Sequence, residues 1–152
     1  MLPPVFATGC FLARLEDKRT SVAASPPRVW ALLSHRAGEA SQILALAEAL
    51  AWPYERKVMH YRWSAGAIGL IRVSASAGVA ARSRAELEPP WPDLLITSGL
   101  RNEPVARWIA DQSGGATRVV FIGRTWAPVE HFDLLVTTPQ YRVTPAPRVL
   151  EN

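Results

Sequence analysis

The chain has 152 residues, which is room for one ordinary domain but not for two. Its apolar fraction of 49% is enough to build a sizeable core, so disorder is not expected. The formal net charge of +4 comes almost wholly from arginine, since Lys18 and Lys57 are the only lysines. The arginines are scattered, with no run of them and no interleaved aromatic residues, so nucleic-acid binding is not predicted. An anionic small molecule or a peripheral membrane contact fits the charge equally well.

Cysteine and histidine usage argues against a disulfide or a metal site. Cys10 is the only cysteine, so an intramolecular disulfide is excluded and a cysteine-based metal site is unsupported. His35, His60 and His131 are far apart and lack metal-ligand spacing, so no metal or other cofactor is predicted. No stretch approaches the roughly 20 apolar residues that span a bilayer. The charges nearest the N-terminus follow the apolar stretch instead of preceding it, which is wrong for a signal peptide. We therefore expect a cytoplasmic location.

The sequence divides into an extension and a domain. Residues 1–27 contain a Pro-Pro pair and a charged cluster, and they end on Ser25-Pro26-Pro27, which predicts a loosely ordered N-terminal extension. Residues 28–152 form the predicted domain. Near its end, residues 143–152 are rich in proline and resemble a linker or strand edge leading onward. Because no helix follows the last predicted strand, we expect the chain to be a fragment of a longer protein.

The domain opens with a predicted strand-helix-strand unit. Val29–Leu33 is an apolar run without alternation, which is typical of a strand buried on both faces. Apolar residues at helical spacing then predict a helix over Ala40–Ala51, which Pro53 ends. Tyr54–Val58 is a plausible second strand. Tight loops between these elements imply a βαβ unit with parallel strands.

After the second strand the hydrophobic pattern is irregular, and the alternation of strands and helices then resumes. His60–Glu88 is rich in alanine and serine and predicts a helix or two with a mobile loop. A helix is predicted over Asn102–Gln112, with Asn102 as its cap. Three further strands are predicted over Asp93–Thr97, Arg118–Ile122 and Asp133–Thr137. The fold class is therefore α/β, with a Rossmann-like, doubly wound and mostly parallel sheet of about five strands.

In doubly wound sheets, ligands bind beyond the carboxyl ends of the strands. Gly38 lies at the mouth of the first helix, where free backbone N–H groups can hold an anion; alternatively it only permits a tight turn. Arg101 and Arg124 follow two of the predicted strands and can clamp a phosphate or carboxylate, or they are simply solvated. Glu39 is a speculative general base, though a carboxylate that stabilises the helix dipole explains it equally well.

Known catalytic motifs are mostly absent. The dinucleotide fingerprint G-x-G-x-x-G and the Walker phosphate loop are both missing. Ser98 is not part of a G-x-S-x-G elbow. Tyr54 and Lys57 are spaced Y-x-x-K, whereas sugar-nucleotide epimerases carry Y-x-x-x-K. His131 and Asp133 are close in sequence but lack a nucleophile, so a surface loop is the simpler interpretation.

Several blocks of the sequence, in order and at sensible spacing, resemble the mitochondrial-fission ELM (elongated mitochondria) family. The resemblance covers roughly Val29–Asn152, with a poor match over His60–Ala85. The blocks are VWALL from Val29, GEASQ from Gly38, LAEAL from Leu46, PDLLITSG from Pro92 with Arg101, VVFIGR from Val119 and FDLLV from Phe132.

This resemblance implies a bacterial protein whose fold is similar to GT-B glycosyltransferases, with two Rossmann-like domains facing a cleft. The chain would be the N-terminal, acceptor-side half, and the missing C-terminal domain would bind most of a nucleotide-sugar donor. The cleft residues that it implies are Gly38, Glu39, Gln42, Ser98, Gly99, Arg101, Asn102 and Arg124.

The function that follows is the acceptor-side domain of a GT-B-like protein acting on a sugar nucleotide or an anionic glycoconjugate. No metal cofactor is implied, and we expect the fragment to be inactive alone. The first alternative is a non-enzymatic interaction protein, in which exposed tryptophans such as Trp91 and Trp126 contact a partner. The second alternative is a nucleoside-diphosphate-sugar epimerase, which the missing motifs disfavour.

Overall fold

The computed structural model describes residues 25–61 and 79–152. The predicted extension over residues 1–27 therefore lies almost wholly outside the described residues. Most of the segment predicted to hold a helix or two and a mobile loop also lies outside them, since residues 62–78 are not described. Within that segment the structure shows one short helix, Ala81–Ala85.

The described residues form a single six-stranded sheet in which every pair of neighbouring strands is parallel. The strand order is β2-β1-β3-β4-β5-β6. The five predicted strands are confirmed to within one residue at their ends. The strands are β1 (Val29–Leu33), β2 (Tyr54–Val58), β3 (Leu94–Ser98), β4 (Arg118–Ile122), β5 (Leu134–Thr137) and β6 (Val149–Glu151).

The sixth strand decides between the two alternatives for residues 143–152, a linker or a strand edge, in favour of a strand at the edge of the sheet. β6 lies parallel to β5, and main-chain hydrogen bonds from Leu135 N to Arg148 O (2.8 Å) and from Asn152 N to Thr137 O (3.0 Å) join the two segments. Three residues are too few for a hydrophobic period to register. The strand forms because β5 would otherwise leave its backbone N–H and C=O groups unpaired.

Within the described residues, three α-helices accompany the sheet: α1 (Ala37–Ala49), α2 (Ala81–Ala85) and α3 (Glu103–Gln112). The predicted first helix is confirmed, but it begins three residues earlier than expected and ends two residues earlier. Its apolar spacing starts only at residue 40, and this first turn is polar or small, so periodicity could not reveal it. The predicted bounds of α3 are confirmed to within one residue.

The helices cover the two faces of the sheet unequally. α1 packs on β1 and β3, with Ile43 and Ala47 fully buried beneath it. α3 packs on β3 and β4 from the opposite face, where it buries Val105, Ala106 and Ile109. This sandwich of helix, sheet and helix is the architecture that a doubly wound sheet needs to bury both of its faces.

The α3 side of the core contains a chain of three tryptophans. Trp91 lies edge-on to Trp30 at 6.1 Å and edge-on to Trp108 at 5.8 Å between ring centroids. The expectation that Trp91 is exposed for partner contact is therefore wrong. Its indole fills the space between two other indoles, and no local sequence pattern reveals that arrangement.

On the α1 side, the sheet beyond β3 is left open within the described part of the chain. An apolar groove of about 320 Å³ runs along this face, and Leu150 of β6 is 54% exposed beside it. The residues that line it are Leu46, Leu50, Leu94, Ile96, Val120, Leu134, Val136, Leu150, Glu151 and Asn152. Exposed apolar surfaces of this kind commonly mark a site of interaction with a protein, a membrane or a ligand.

The strand order places a switch point between β1 and β3. From β1 the chain first moves outward to β2 and then returns to the other side of β1 as β3. The loops that leave the carboxyl ends of β1 and β3 therefore diverge and leave a crevice between them. This geometry, and not any motif, selects the edge of the sheet at which a ligand site is expected. None of the described helices is long and apolar enough to cross a membrane.

Candidate functional site

Three loops meet at the carboxyl edge of the sheet, as predicted. They follow β1, β3 and β4, and two close approaches fix how they fit together. A Cβ atom placed on Gly99 would collide with the carboxylate of Glu39, which joins the loops after β1 and β3. A Cβ placed on Gly123 would lie 3.9 Å from Ser98 Oγ, which joins the loops after β3 and β4. The candidate site is therefore a continuous surface across three neighbouring strands.

Glu39 lies inside this crevice and not on the open surface of α1. Its Oε2 accepts a hydrogen bond from Ser34 Oγ at 2.6 Å, and its Oε1 lies 3.5 Å from Arg36 Nη1. Gly99 packs directly against the carboxylate with a φ of +89°. Only glycine combines that backbone conformation with that contact at low cost. The position of Glu39 thus depends on a residue sixty positions away in sequence.

Gly38 and Gln42 are both exposed near the start of α1. Gly38 is the second residue of α1 and its φ is not positive. A Cβ atom added there would meet nothing within 4 Å. The alternative in which Gly38 permits a tight turn is therefore wrong, because the residue is helical. Its proposed role through backbone N–H groups at the helix start stays a prediction.

Asn102 is not the cap that its sequence position indicated. It occupies the N-cap position of α3 but has helical φ and ψ, and its side chain makes no capping hydrogen bond. Instead it is fully buried, and its Nδ2 donates to Leu32 O (3.0 Å) and to Thr97 Oγ1 (3.1 Å). Its Oδ1 accepts a hydrogen bond from the hydroxyl of Tyr61. The side chain therefore joins the ends of β1 and β3 to the segment after β2.

Tyr61 belongs to the site, although no pattern in the sequence pointed to it. Burial raises the pKa of its hydroxyl well above the usual range. The positive charge of Arg101 acts to lower that pKa, and the negative charge of Glu39 acts to raise it. Arg101 and Glu39, which were predicted as site residues on two different loops, therefore both lie near the phenol of Tyr61. Tyr61 was not predicted as a site residue because it lies in His60–Glu88, the segment with the least regular sequence pattern.

Glu103, the first residue of α3, anchors the loop after β4. Its side chain is buried, and its carboxylate accepts three hydrogen bonds from that loop. The donors are Thr125 Oγ1 at 2.9 Å, Trp126 N at 2.8 Å and Ala127 N at 2.8 Å. The carboxylate thus fixes the backbone of the third loop to the first turn of α3.

Arg101 and Arg124 both lie exposed at this edge. Neither forms a hydrogen bond or an ion pair with any residue within ranges 25–61 and 79–152. Arg118 offers a contrast, since its Nη1 binds Asp133 Oδ1 at 2.8 Å. Asp133 is also bound by Val119 N at 2.9 Å, so its role is structural and it forms no catalytic pair with His131.

No metal centre is evident in the part of the chain that the structure covers, where no three His, Cys, Asp or Glu side chains are grouped to hold an ion. Ser98 ends β3 and is almost fully buried, with its hydroxyl facing the turn at Gly123. The structure therefore brings Glu39, Ser98, Gly99, Arg101 and Asn102 together. It places Gly38, Gln42 and Arg124 on the exposed rim of the same edge.

Fold and site together define a parallel, doubly wound α/β domain with a polar crevice at its switch point. The family model described as Mitochondrial fission ELM1 matches residues 37–150, which is more than half of the chain. The chain therefore belongs to that family, as the resemblance of its sequence blocks predicted. All eight predicted site residues lie within the matched range, whereas β1 precedes it. No curated protein and no solved structure matches the chain.

Proposed function

We propose that the domain binds a phosphate-bearing small molecule, a sugar nucleotide or an anionic glycoconjugate, at the carboxyl edge of its sheet. The observation that carries the proposal is the pair Arg101 and Arg124. Both guanidinium groups are exposed on loops after neighbouring strands, and neither has a partner among the described residues. A guanidinium presents a fork of N–H donors that matches phosphate oxygens, and it stays charged at any physiological pH.

The other candidate residues have complementary roles in this proposal. The exposed backbone N–H groups of the first turn of α1, around Gly38, add donors and a favourable helix dipole for an anion. Gln42 lies about one turn further on and offers a neutral donor. Glu39 is the candidate base, since it lies in the crevice against Gly99. Asn102 is a positioning residue because its amide is fully engaged with the protein.

Membership of the ELM family suggests a reaction class for this site. By its resemblance to GT-B glycosyltransferases, we propose that the domain receives the acceptor and that a second domain supplies the nucleotide-sugar donor. On this proposal the isolated domain binds weakly and turns nothing over. Ligand binding, and not turnover, is therefore the property to measure first.

The test is calorimetric titration of the chain with uridine diphosphate, glucose-1-phosphate and pyrophosphate. Arg101→Ala and Arg124→Ala should each weaken binding by about ten- to a hundredfold, since a hydrogen bond to a charged group contributes about 1.5 to 3 kcal/mol. Arg56→Ala is the matched control, because Arg56 is an exposed arginine on the edge strand β2, away from the loops of the site. If Arg56→Ala weakened binding as much as the other two variants, the loss of affinity would reflect only the change in net charge, and this result would contradict the proposal.

A non-enzymatic interaction protein is the second candidate, and the open apolar groove beside β6 favours it. In that case the groove and the exposed Trp126 would contact a partner. The unmodified chain would then bind none of the three anions. It would instead self-associate or bind another protein in sedimentation experiments, through surfaces that do not include Arg101 or Arg124.

A further inference from the structure

The most exposed large apolar side chain of the described residues is Trp126, whose exposed fraction is 71%. It lies in the loop after β4, two residues beyond Arg124, at the same edge of the sheet as the candidate site. An indole that is left in water loses the stabilisation that its burial would provide. A single exposed apolar residue is common on protein surfaces, but this one stands at the edge of the sheet that carries the candidate site, in a loop that the core holds in place.

The loop that carries Trp126 is held in place from beneath. The buried carboxylate of Glu103 accepts hydrogen bonds from Trp126 N and Ala127 N at 2.8 Å each, and from Thr125 Oγ1 at 2.9 Å. Thr125 Oγ1 also lies 3.1 Å from Ala127 O, and Ala127 packs against the core. The backbone on both sides of the exposed indole is thus fixed, so a ligand that contacts the ring need not order the loop first.

The hydrogen bonds to Glu103 also place the loop that carries Trp126 close to the turn that carries Arg101. Glu103 is two residues beyond Arg101, and its carboxylate touches the backbone of Trp126. Arg124 precedes Trp126 by two residues in the same loop. The backbone of the loop that carries Arg124 and Trp126 therefore lies against the first turn of α3, which Arg101 precedes by two residues, and neither arginine has a partner among the described residues. Stacking of rings on aromatic side chains beside positive charge is how proteins hold nucleotides without reading their sequence.

We propose that Trp126 is the ring-stacking surface of the site, and that its ligand therefore carries both a phosphate and a ring whose face can pack on the indole. This inference rests on the proposed function, and it narrows the ligand from anions in general to ring-bearing phosphates. The ring is the base of a nucleotide or the sugar of a glycosyl phosphate. Both kinds of ligand combine a ring face with a phosphate. They differ in which probe responds to loss of the indole.

The experiment is the same titration with Trp126→Ala and Trp126→Phe. Trp126→Ala should weaken binding of the probe whose ring stacks, uridine diphosphate for a base or glucose-1-phosphate for a sugar, by about tenfold, and Trp126→Phe should restore most of it. Pyrophosphate binding should not change. Arg124→Ala should weaken binding of both ligands. Weaker glucose-1-phosphate binding by Trp126→Ala would assign the stacked ring to the sugar, and an unchanged value would assign it to the base.

The control variant is Trp52→Ala, which removes another exposed tryptophan beyond the far end of α1, away from the three loops. Unchanged binding of both ring-bearing probes by Trp126→Ala overturns the inference while leaving the arginine site intact. Equal weakening of pyrophosphate binding also overturns it, because the indole would then act through the loop. If the unmodified chain binds none of the probes, both the proposed function and this inference fail.

Discussion

Replacing Asn102 by aspartate tests whether the buried amide holds the site together. The change keeps the shape of the side chain but turns the Nδ2 donor into an acceptor. That nitrogen donates to Leu32 O at 3.0 Å and to Thr97 Oγ1 at 3.1 Å, so a carboxylate oxygen would face a carbonyl oxygen. The two lost hydrogen bonds cost about 1 to 3 kcal/mol, and an unpaired buried charge brings the total to about 3 to 5 kcal/mol.

The penalty should depend on pH with a defined sign. Burial beside two oxygen atoms raises the pKa of the introduced carboxyl in the folded state above its unfolded value of about 3.9. Below that unfolded pKa the protonated carboxyl donates one hydrogen bond, and the penalty should fall to about 1 to 2 kcal/mol. As pH rises through the folded pKa, the stability is lost. Neutral pH should therefore be the worst condition for Asn102→Asp relative to the unmodified chain.

The assay is urea unfolding followed by tryptophan fluorescence, at about pH 7 and about pH 4.5. Asn152→Asp is the matched control, because it makes the same chemical change at an exposed position and should cost less than about 0.5 kcal/mol at either pH. A penalty below about 1 kcal/mol for Asn102→Asp, or one that does not shrink in acid, would refute the reasoning.

Two further predictions concern the same crevice. Gly99→Ala should destabilise the fold by about 1 to 3 kcal/mol because its φ is +89° and the new Cβ would displace the Glu39 carboxylate. Gly38→Ala, in open space on a helix, should instead stabilise it by about 0.5 to 1 kcal/mol; thermal unfolding of both variants checks this opposition of sign. Because the pKa of Tyr61 is raised by burial, its hydroxyl contributes stability that is present below the unfolded pKa of about 10 and is lost as pH rises above it. The difference in unfolding free energy between the unmodified chain and Tyr61→Phe should therefore shrink between about pH 8 and about pH 11, and a constant difference would contradict the buried phenol.

Much of the fold was predictable because its information is local. Apolar runs of three to five residues marked four of the six strands, and helical spacing marked α1. The alternation of strand and helix then implied a parallel doubly wound sheet. The candidate residues after β1, β3 and β4 followed from the same logic, because the carboxyl ends of parallel strands share one edge. Arg101 and Arg124 are exposed at that edge as predicted.

Other features depended on contacts that no local pattern encodes. β6 exists because β5 offers an open edge to pair with, and Trp91 is partly buried because it packs between two other indoles. Asn102 has the residue type and position of a cap, but Leu32, Thr97 and Tyr61 offer its amide better partners in the interior. The sequence by itself determined the order of elements and the edge of the sheet that carries the site. Tertiary structure alone decided which polar groups are buried there, since a buried amide or carboxylate takes whatever partners packing brings within about 3 Å.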